Sequence, residues 1–282
     1  MTAPNLDDFL ATMIDAAADA GAIVLAFFEG ECAARAKRDG SPVTEADRAA
    51  ETAIERALRE RFPDMPVVAE EAIADGHVPP VLGERFFLVD PLDGTKEFVA
   101  GLYDFTVNIA LVEDGVPVAG VVFAPAYREL FYGSPAGAFK LRTGDRGERG
   151  EAVPIAARAE PEAIIAVVSR SHYSTDTDDF LAGHTLESVV PVGSSLKFCR
   201  IAEGMADIYP KLGRTMEWDT AAGHAILAAA GGSVTRIDGS PLVYAKRGVE
   251  GEADFANPSF IARGRPDPTA AGEMRAGARS RA

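Results

Sequence analysis

The period of the apolar pattern changes partway along this chain, and that change limits the folds open to it. From Leu6 to Phe28 the residues Leu6, Phe9, Leu10, Met13, Ile14, Ala17, Val24, Leu25 and Phe28 recur at helical spacing with acids between them, which predicts an amphipathic helix. A second helix is expected from about Glu45 to Phe62, stopped by Pro63. Short strands follow: Met65–Ala69 runs into Glu70-Glu71, and Arg85–Val89 runs into Asp90. From Phe105 the pattern alternates. Thr106–Val112, the turn Glu113-Asp114-Gly115 and Val116–Phe123 read as a hairpin, which Leu130–Tyr132 and Ala138–Leu141 extend into an antiparallel meander. A run of βαβ units would not look like this.

Residues 143–152 are polar and glycine-rich and read as a sub-domain boundary or an exposed hairpin tip. Beyond them strands are expected at Ile164–Ser169, Ser188–Val192, Ala206–Tyr209, Ser233–Ile237 and Phe260–Ala262. Helices are expected at Asp176–Ala182, Ser195–Glu203 and Thr220–Ala230, the last closed by Gly231-Gly232. The expectation is an α+β molecule with one αβ unit over 1–150, a second over 151–264, and an Arg-, Ala-, Pro- and Gly-rich tail over 265–282 that is expected to be disordered. Lys37–Val43 reads as a polar turn or hairpin.

Composition narrows the function. With 47% hydrophobic residues the chain can fill a core, and its net charge of −15 argues against binding a nucleic acid polymer through a general phosphate-tracking surface. A small phosphorylated substrate stays open if metal ions or a few cations assist locally. The two cysteines, Cys32 and Cys199, make no disulfide framework and no zinc pattern, and both are expected to be buried thiols in a reducing compartment. The N-terminus lacks the basic and apolar regions of a signal peptide. No stretch reaches the roughly 20 consecutive apolar residues of a membrane span. A cytoplasmic protein is expected.

The chemistry concentrates at Asp90-Pro91-Leu92-Asp93-Gly94-Thr95, where an apolar strand ends at an acid, turns through Pro91 and Gly94, and meets a short helix at Thr95–Val99. Alone, this is an ordinary turn signature. Its company changes the reading. Glu70-Glu71 ends another apolar strand some twenty residues earlier. Clustered carboxylates raise one another's pKa values unless cations compensate, and hard oxygen donors suit Mg²⁺. A covalent aspartyl-phosphatase needs an acid at position 91, which is Pro91, so metal-activated water is the better nucleophile. Asp219, just before the last helix, reads as an N-cap, and Asp47, three residues after Thr44, resembles part of a capping box. Neither would draw notice alone. His224, one turn into the last helix, reads as structural.

Together these motifs resemble the inositol monophosphatase superfamily, and the match runs from Leu6 to about Arg263. Within it, Asp-Pro-Leu-Asp-Gly-Thr-Lys-Glu-Phe (90–98), Gly-Ser-Ser-Leu-Lys-Phe-Cys (193–199), Ala-Asp-Ile-Tyr-Pro-Lys (206–211) and Glu-Trp-Asp-Thr-Ala-Ala-Gly-His-Ala (217–225) are similar to the 3′(2′),5′-bisphosphate nucleotidase group. The resemblance implies a layered αβαβα sandwich with two or three Mg²⁺ held by Glu70, Asp90, Asp93, Asp219 and the Leu92 carbonyl. Asp47, Thr95 and Glu70 would be the catalytic residues, with Thr95 and Asp47 holding the attacking water. Leu92, Asp93, Gly94, Thr95, Ser194, Ser195, Lys197, Arg214 and Asp219 would meet the substrate. Lys211 stands where the group usually has Arg, which keeps the charge but loses the planar fork.

By this resemblance the substrate is a small nucleotide bisphosphate, adenosine 3′,5′-bisphosphate, with the sulfated analogue as a further candidate. Lys197, Lys211 and Arg214 are the cations available for its second phosphate, or else ordinary solvated surface charges. An inositol- or sugar-phosphate phosphatase on the same fold is the nearest rival, and a non-catalytic metal or nucleotide binder the more distant one. The resemblance also implies lithium sensitivity and is compatible with a homodimer and with contact at a membrane surface.

Overall fold

Asn5 starts the first helix. Its side chain accepts the Asp8 amide at 3.0 Å while the Asp8 carboxylate accepts the Asn5 amide at 3.0 Å, a reciprocal cap of the kind worth about 1 kcal/mol. The helix, α1 (Leu6–Glu29), buries Phe9, Met13, Ala16, Ala17, Ala20, Gly21 and Val24. The computed structural model describes residues 4–30, 45–144 and 148–266. The expected turn at Lys37–Val43, Cys32, Thr44 and most of the tail lie outside the described residues.

Next to α1 lies α2 (Glu45–Arg61), whose buried stripe runs Ala46, Ala50, Ile54 and Leu58 but also includes Asp47 and Glu51. Both helices cover one face of a seven-stranded sheet. Its strands lie in chain order: β1 (Val67–Ala69), β2 (Arg85–Asp93), β3 (Thr106–Glu113), β4 (Val116–Ala124), β5 (Glu129–Ser134), β6 (Gly137–Arg142) and β7 (Val153–Ile155). Only β1 and β2 are parallel; the rest is the antiparallel meander expected from the alternating pattern. The short helix α3 (Glu70–Ala74) follows β1, and α4 (Thr95–Val99) follows β2.

The second half holds a five-stranded sheet of β8 (Ile164–Ser169), β9 (Leu186–Val192), β10 (Ile208–Lys211), β12 (Ser233–Arg236) and β14 (Phe260–Arg263), in the order β12-β14-β10-β8-β9. A two-stranded pair, β11 (Thr215–Met216) with β13 (Ala256–Asn257), was not foreseen. Helices α6 (Leu196–Ala202) and α7 (Ala221–Ala229) lie between the sheets. One core joins their Leu196, Phe198, Ile201 and Ile226 to Phe86, Leu88 and Phe131 of the first sheet and to Tyr209, Phe260 and Ala262 of the second. Helix α5 (Thr175–Leu181) closes the outer face of the second sheet against Ile164, Ala166, Val168 and Ile208. The layers therefore run αβαβα, as expected.

The same arrangement explains why β2 reads as an unbroken apolar run. Phe86 and Leu88 enter the inter-sheet core while Phe87 and Val89 enter the core under α1 and α2, so both faces of the strand are buried. The membrane expectation needs refinement. By length and composition α1 could cross a bilayer. Its apolar stripe, however, is occupied by the protein's own core.

Candidate active site

Position in the sheet gathers the acids. Strand β2 does not end in a tight turn at Asp90, as the sequence had suggested; it continues through Asp93. Asp90 pairs with Asn108 and Asp93 with Thr106, so three steps along β2 match two along β3. That extra residue is a β-bulge at Pro91 and Leu92, where Pro91 has no amide to give the ladder. Because side chains alternate along a strand, Asp90 and Asp93 would face opposite ways without it. The bulge turns both to the face shared by Thr106 and Asn108.

Strand β1 runs parallel to β2 with Ala69 opposite Val89, so Glu70 emerges beside Asp90. Asp219 arrives from the other half, just before α7. It does not cap that helix. Its Oδ2 accepts the Met216 amide at 2.7 Å, and the cap position belongs to Thr220, which makes no side-chain capping bond. Backward bonding to Met216 leaves the Asp219 carboxylate aimed at the other acids.

These acids strain one another. Burial first, then the Asp219 and Asp93 charges, push Glu70 up to about 8. Asp219 is pushed up to about 7 by burial and by Asp93, although the Met216 amide, Lys211 and Lys197 oppose the rise. Asp90 is raised well above the usual carboxylate range by burial and then by Glu70, Asp93 and Asp219. Asp93 is raised mainly by burial, with Lys197, the Ser195 amide and Asn108 opposing.

The local structure around Asp93 is built to hold it. Its Oδ2 accepts the Ser195 amide at 2.5 Å and the Asn108 side-chain amide at 3.4 Å. The Ser195 hydroxyl is itself engaged, 2.8 Å from Thr106 Oγ1 and donating to Asn108 Oδ1 at 2.7 Å. Gly94 then takes a φ of +90°, a left-handed conformation that admits glycine readily, and begins α4. The Thr95 hydroxyl donates to the Leu92 carbonyl at 3.2 Å. Asp47 is buried on α2, and its charge adds to the burial that raises the Glu71 carboxyl.

A cavity of about 520 Å³ opens here. Asp93, Gly94, Thr95 and Asp219 line it together with Ser194, Ser195, Lys197, Lys211 and Arg214. Neither Lys197 nor Lys211 is a solvated surface charge, being 4% and 9% exposed; Arg214 is exposed. The Lys197 ammonium donates to the Ser194 carbonyl at 2.5 Å and the Val192 carbonyl at 3.3 Å, and burial lowers its pKa to about 8. Lys96 and His172, whose Nζ and Nε2 atoms lie 2.9 Å apart, add to the wall.

Several contributors were not singled out from sequence. Glu51 accepts the Glu71 and Ala72 amides, each at 2.8 Å, and so fixes the start of α3 that carries Glu70. Burial pushes this carboxyl up to about 7 against those two bonds. A signal existed: Glu51 lies four residues after Asp47 on an otherwise apolar stripe. Thr106 and Asn108, polar residues two apart in an apolar strand, were equally visible as one face turned to a polar site. His224, by contrast, is structural as expected, with Nδ1 3.0 Å from the Tyr244 hydroxyl.

Among the described residues no three of the side chains already converge on one point as a finished ligand shell. The fit to divalent cations rests on donor chemistry: hard carboxylate oxygens, withdrawn from water, whose mutual repulsion only added positive charge relieves.

Residues 5–266 match the inositol monophosphatase family, and the chain belongs to it; it is a phosphatase of that family. Among its relatives is the 3′(2′),5′-bisphosphate nucleotidase CysQ of Salmonella typhimurium, 44% identical over 230 residues that span 79% of this chain and 86% of the relative. CysQ of Escherichia coli K12 is 44% identical over 225 residues, with the same coverage. The crystal structure of CysQ from Bacteroides thetaiotaomicron, a bacterial member of the family, superposes with a TM-score of 0.78 at 37% identity, over 93% of this chain and 99% of that one. An inositol monophosphatase from Anabaena aligns with a TM-score of 0.71 at 28% identity, over 93% and 92% of the two chains.

Proposed function

We propose that the chain hydrolyses adenosine 3′,5′-bisphosphate to AMP and phosphate with the help of magnesium ions held by Glu70, Asp90, Asp93, Asp219 and the Leu92 carbonyl. One observation carries this reading. Asp93 and Asp219, half of a mutually repelling carboxylate cluster, share a cavity with Lys197, Lys211 and Arg214. A substrate with one phosphate to lose and a second to be gripped suits such a cavity, and relatives over 40% identical bear the name of a bisphosphate nucleotidase.

Bound there, magnesium would neutralise the acids and lower the pKa of the attacking water. The remaining work falls to the chain. Thr95, whose hydroxyl already points back along the site to Leu92, orients that water together with Asp47. The Gly94 and Thr95 amides hold the phosphate to be cleaved. Ser194 and Ser195 border it, Ser195 chiefly by fixing Asp93. Lys197, Lys211 and Arg214 grip the second phosphate, whose charge would keep Lys197 protonated. Positioning and charge suffice for phosphoryl transfer, so no His or Cys nucleophile is needed. A buried free thiol at Cys199 accords with a cytoplasmic setting.

The test is phosphate release from adenosine 3′,5′-bisphosphate, inositol monophosphate and fructose bisphosphate, each with magnesium and with chelator. Magnesium-dependent turnover greatest on the adenosine bisphosphate is expected. Preference for either of the others would assign the chain to its nearest rival, and no turnover on any would leave a binding protein.

A further inference from the structure

We propose that Asp104 is a positioning residue, clamping through Gly193 the segment Gly193–Lys197 that both fixes Asp93 and carries Lys197 into the cavity. Asp104 precedes β3 in the first half of the molecule, is 6% exposed, and sits behind the cavity wall, its carbonyl against Gly94. Its Oδ2 accepts the Gly193 amide at 3.0 Å. The same oxygen accepts Arg170 through Nε at 3.2 Å and Nη2 at 2.8 Å, and Oδ1 accepts the Tyr127 hydroxyl at 2.7 Å. Arg170, just after β8 in the second half, also donates to the Pro191 carbonyl at 2.9 Å. One carboxylate therefore ties together the loop before β3, the end of β9 and the turn that follows it.

The turn packs closely against Asp104. A side chain at Gly193 would lie 2.6 Å from Asp104 Cβ, 2.7 Å from its carbonyl oxygen and 2.9 Å from Glu97 Cγ. Ser194 is held at a φ of +50°, a conformation that non-glycine residues keep only when their surroundings enforce it. From this strained turn the chain sends the Ser195 amide to Asp93 and the Ser194 carbonyl to Lys197. Loss of the clamp would let the turn relax, moving two site groups at once.

Amide hydrogen exchange and steady-state kinetics on the bisphosphate test this, the kinetic arm alone resting on the reaction proposed above. In Asp104→Ala, exchange should quicken across Gly193–Lys197, and kcat should fall about ten- to a hundredfold, more than KM rises. Asp104→Asn keeps the shape and an oxygen for Gly193, and should recover exchange protection and most of kcat. Tyr127→Phe, which frees only the other oxygen, should leave protection of Gly193–Lys197 intact. Should Asp104→Ala not fold, Arg170→Met decides, with faster exchange in the same segment and a severalfold lower kcat. Wild-type exchange at Gly193–Lys197 in the Ala or Met variant, or an Asn variant as slow as Ala, would overturn the proposal. If the wild type cleaves no phosphate ester, the proposed reaction fails, while exchange still decides the clamp.

Discussion

Asp93 receives a backbone amide, a side-chain amide and the field of Lys197, and its carboxyl is still raised because burial, with a small addition from Glu97, outweighs them. A cation bound as proposed above would relieve that rise. Asp93→Asn should leave the protein folded but lower turnover by about a hundredfold or more; kcat measured beside a circular dichroism melt checks both halves of that statement, and near-normal turnover would remove Asp93 from the site. Lys197→Ala should weaken kcat/KM for the bisphosphate more than for a monophosphate such as inositol phosphate. Equal losses would assign Lys197 to the fold, since its ammonium also anchors two carbonyls. At this scale the sequence was informative wherever residues act with their neighbours in the chain. Asp90, Asp93 and Thr95 could be read from one hexapeptide. Asp104, Arg170 and Gly193 could not, because their meaning lies in contacts between residues separated by 66 and 89 positions.

Helices and most strands followed from periodicity because each has a face that must be buried, and the inner layer formed by α6 and α7 shows as apolar, small-residue segments. The bulge in β2 was hidden: Pro and Gly signal a break in regular structure, but a turn and a bulge share that signal. The Asp219 cap was misread for a similar reason, since an acid before a helix caps it only if the carboxylate points forward, and a bond to Met216 turns this one back. Element geometry also carries a prediction at the join of β2 and α4. Gly94→Ala would place a methyl 2.7 Å from the Asp104 carbonyl at a φ of +90°. A stability loss of about 2 kcal/mol is expected from the backbone conformation alone, read from denaturant unfolding, along with a lower kcat.

For the whole molecule, charge is the governing quantity. Magnesium should raise the melting temperature of the wild type by mass action, and Asp219→Asn should blunt that rise; an undiminished rise would place the ions elsewhere. His224 supplies a separate pH term. Burial holds its folded pKa down to about 4, below the 6.5 of an exposed imidazole. Between those values the unfolded chain binds the extra proton, so the fold loses stability as pH falls from about 6.5 toward 4. Relative to His224→Gln, the wild type should lose about 2 kcal/mol between pH 7.5 and 5; an unchanged gap in unfolding free energy would refute the assignment. The bulge in β2 has a last consequence, one of counting. Whether two acids can cooperate here depends on the parity of the steps between them, because an even count along a pleated ribbon returns to the same face and an odd count does not. Three steps behave as two only while the extra residue is absorbed. By that count, removing one residue between Asp90 and Asp93 would leave two steps and keep both acids on one face, whereas a ladder that regularised all three steps would turn one acid to the far side with every side chain in the hexapeptide still present.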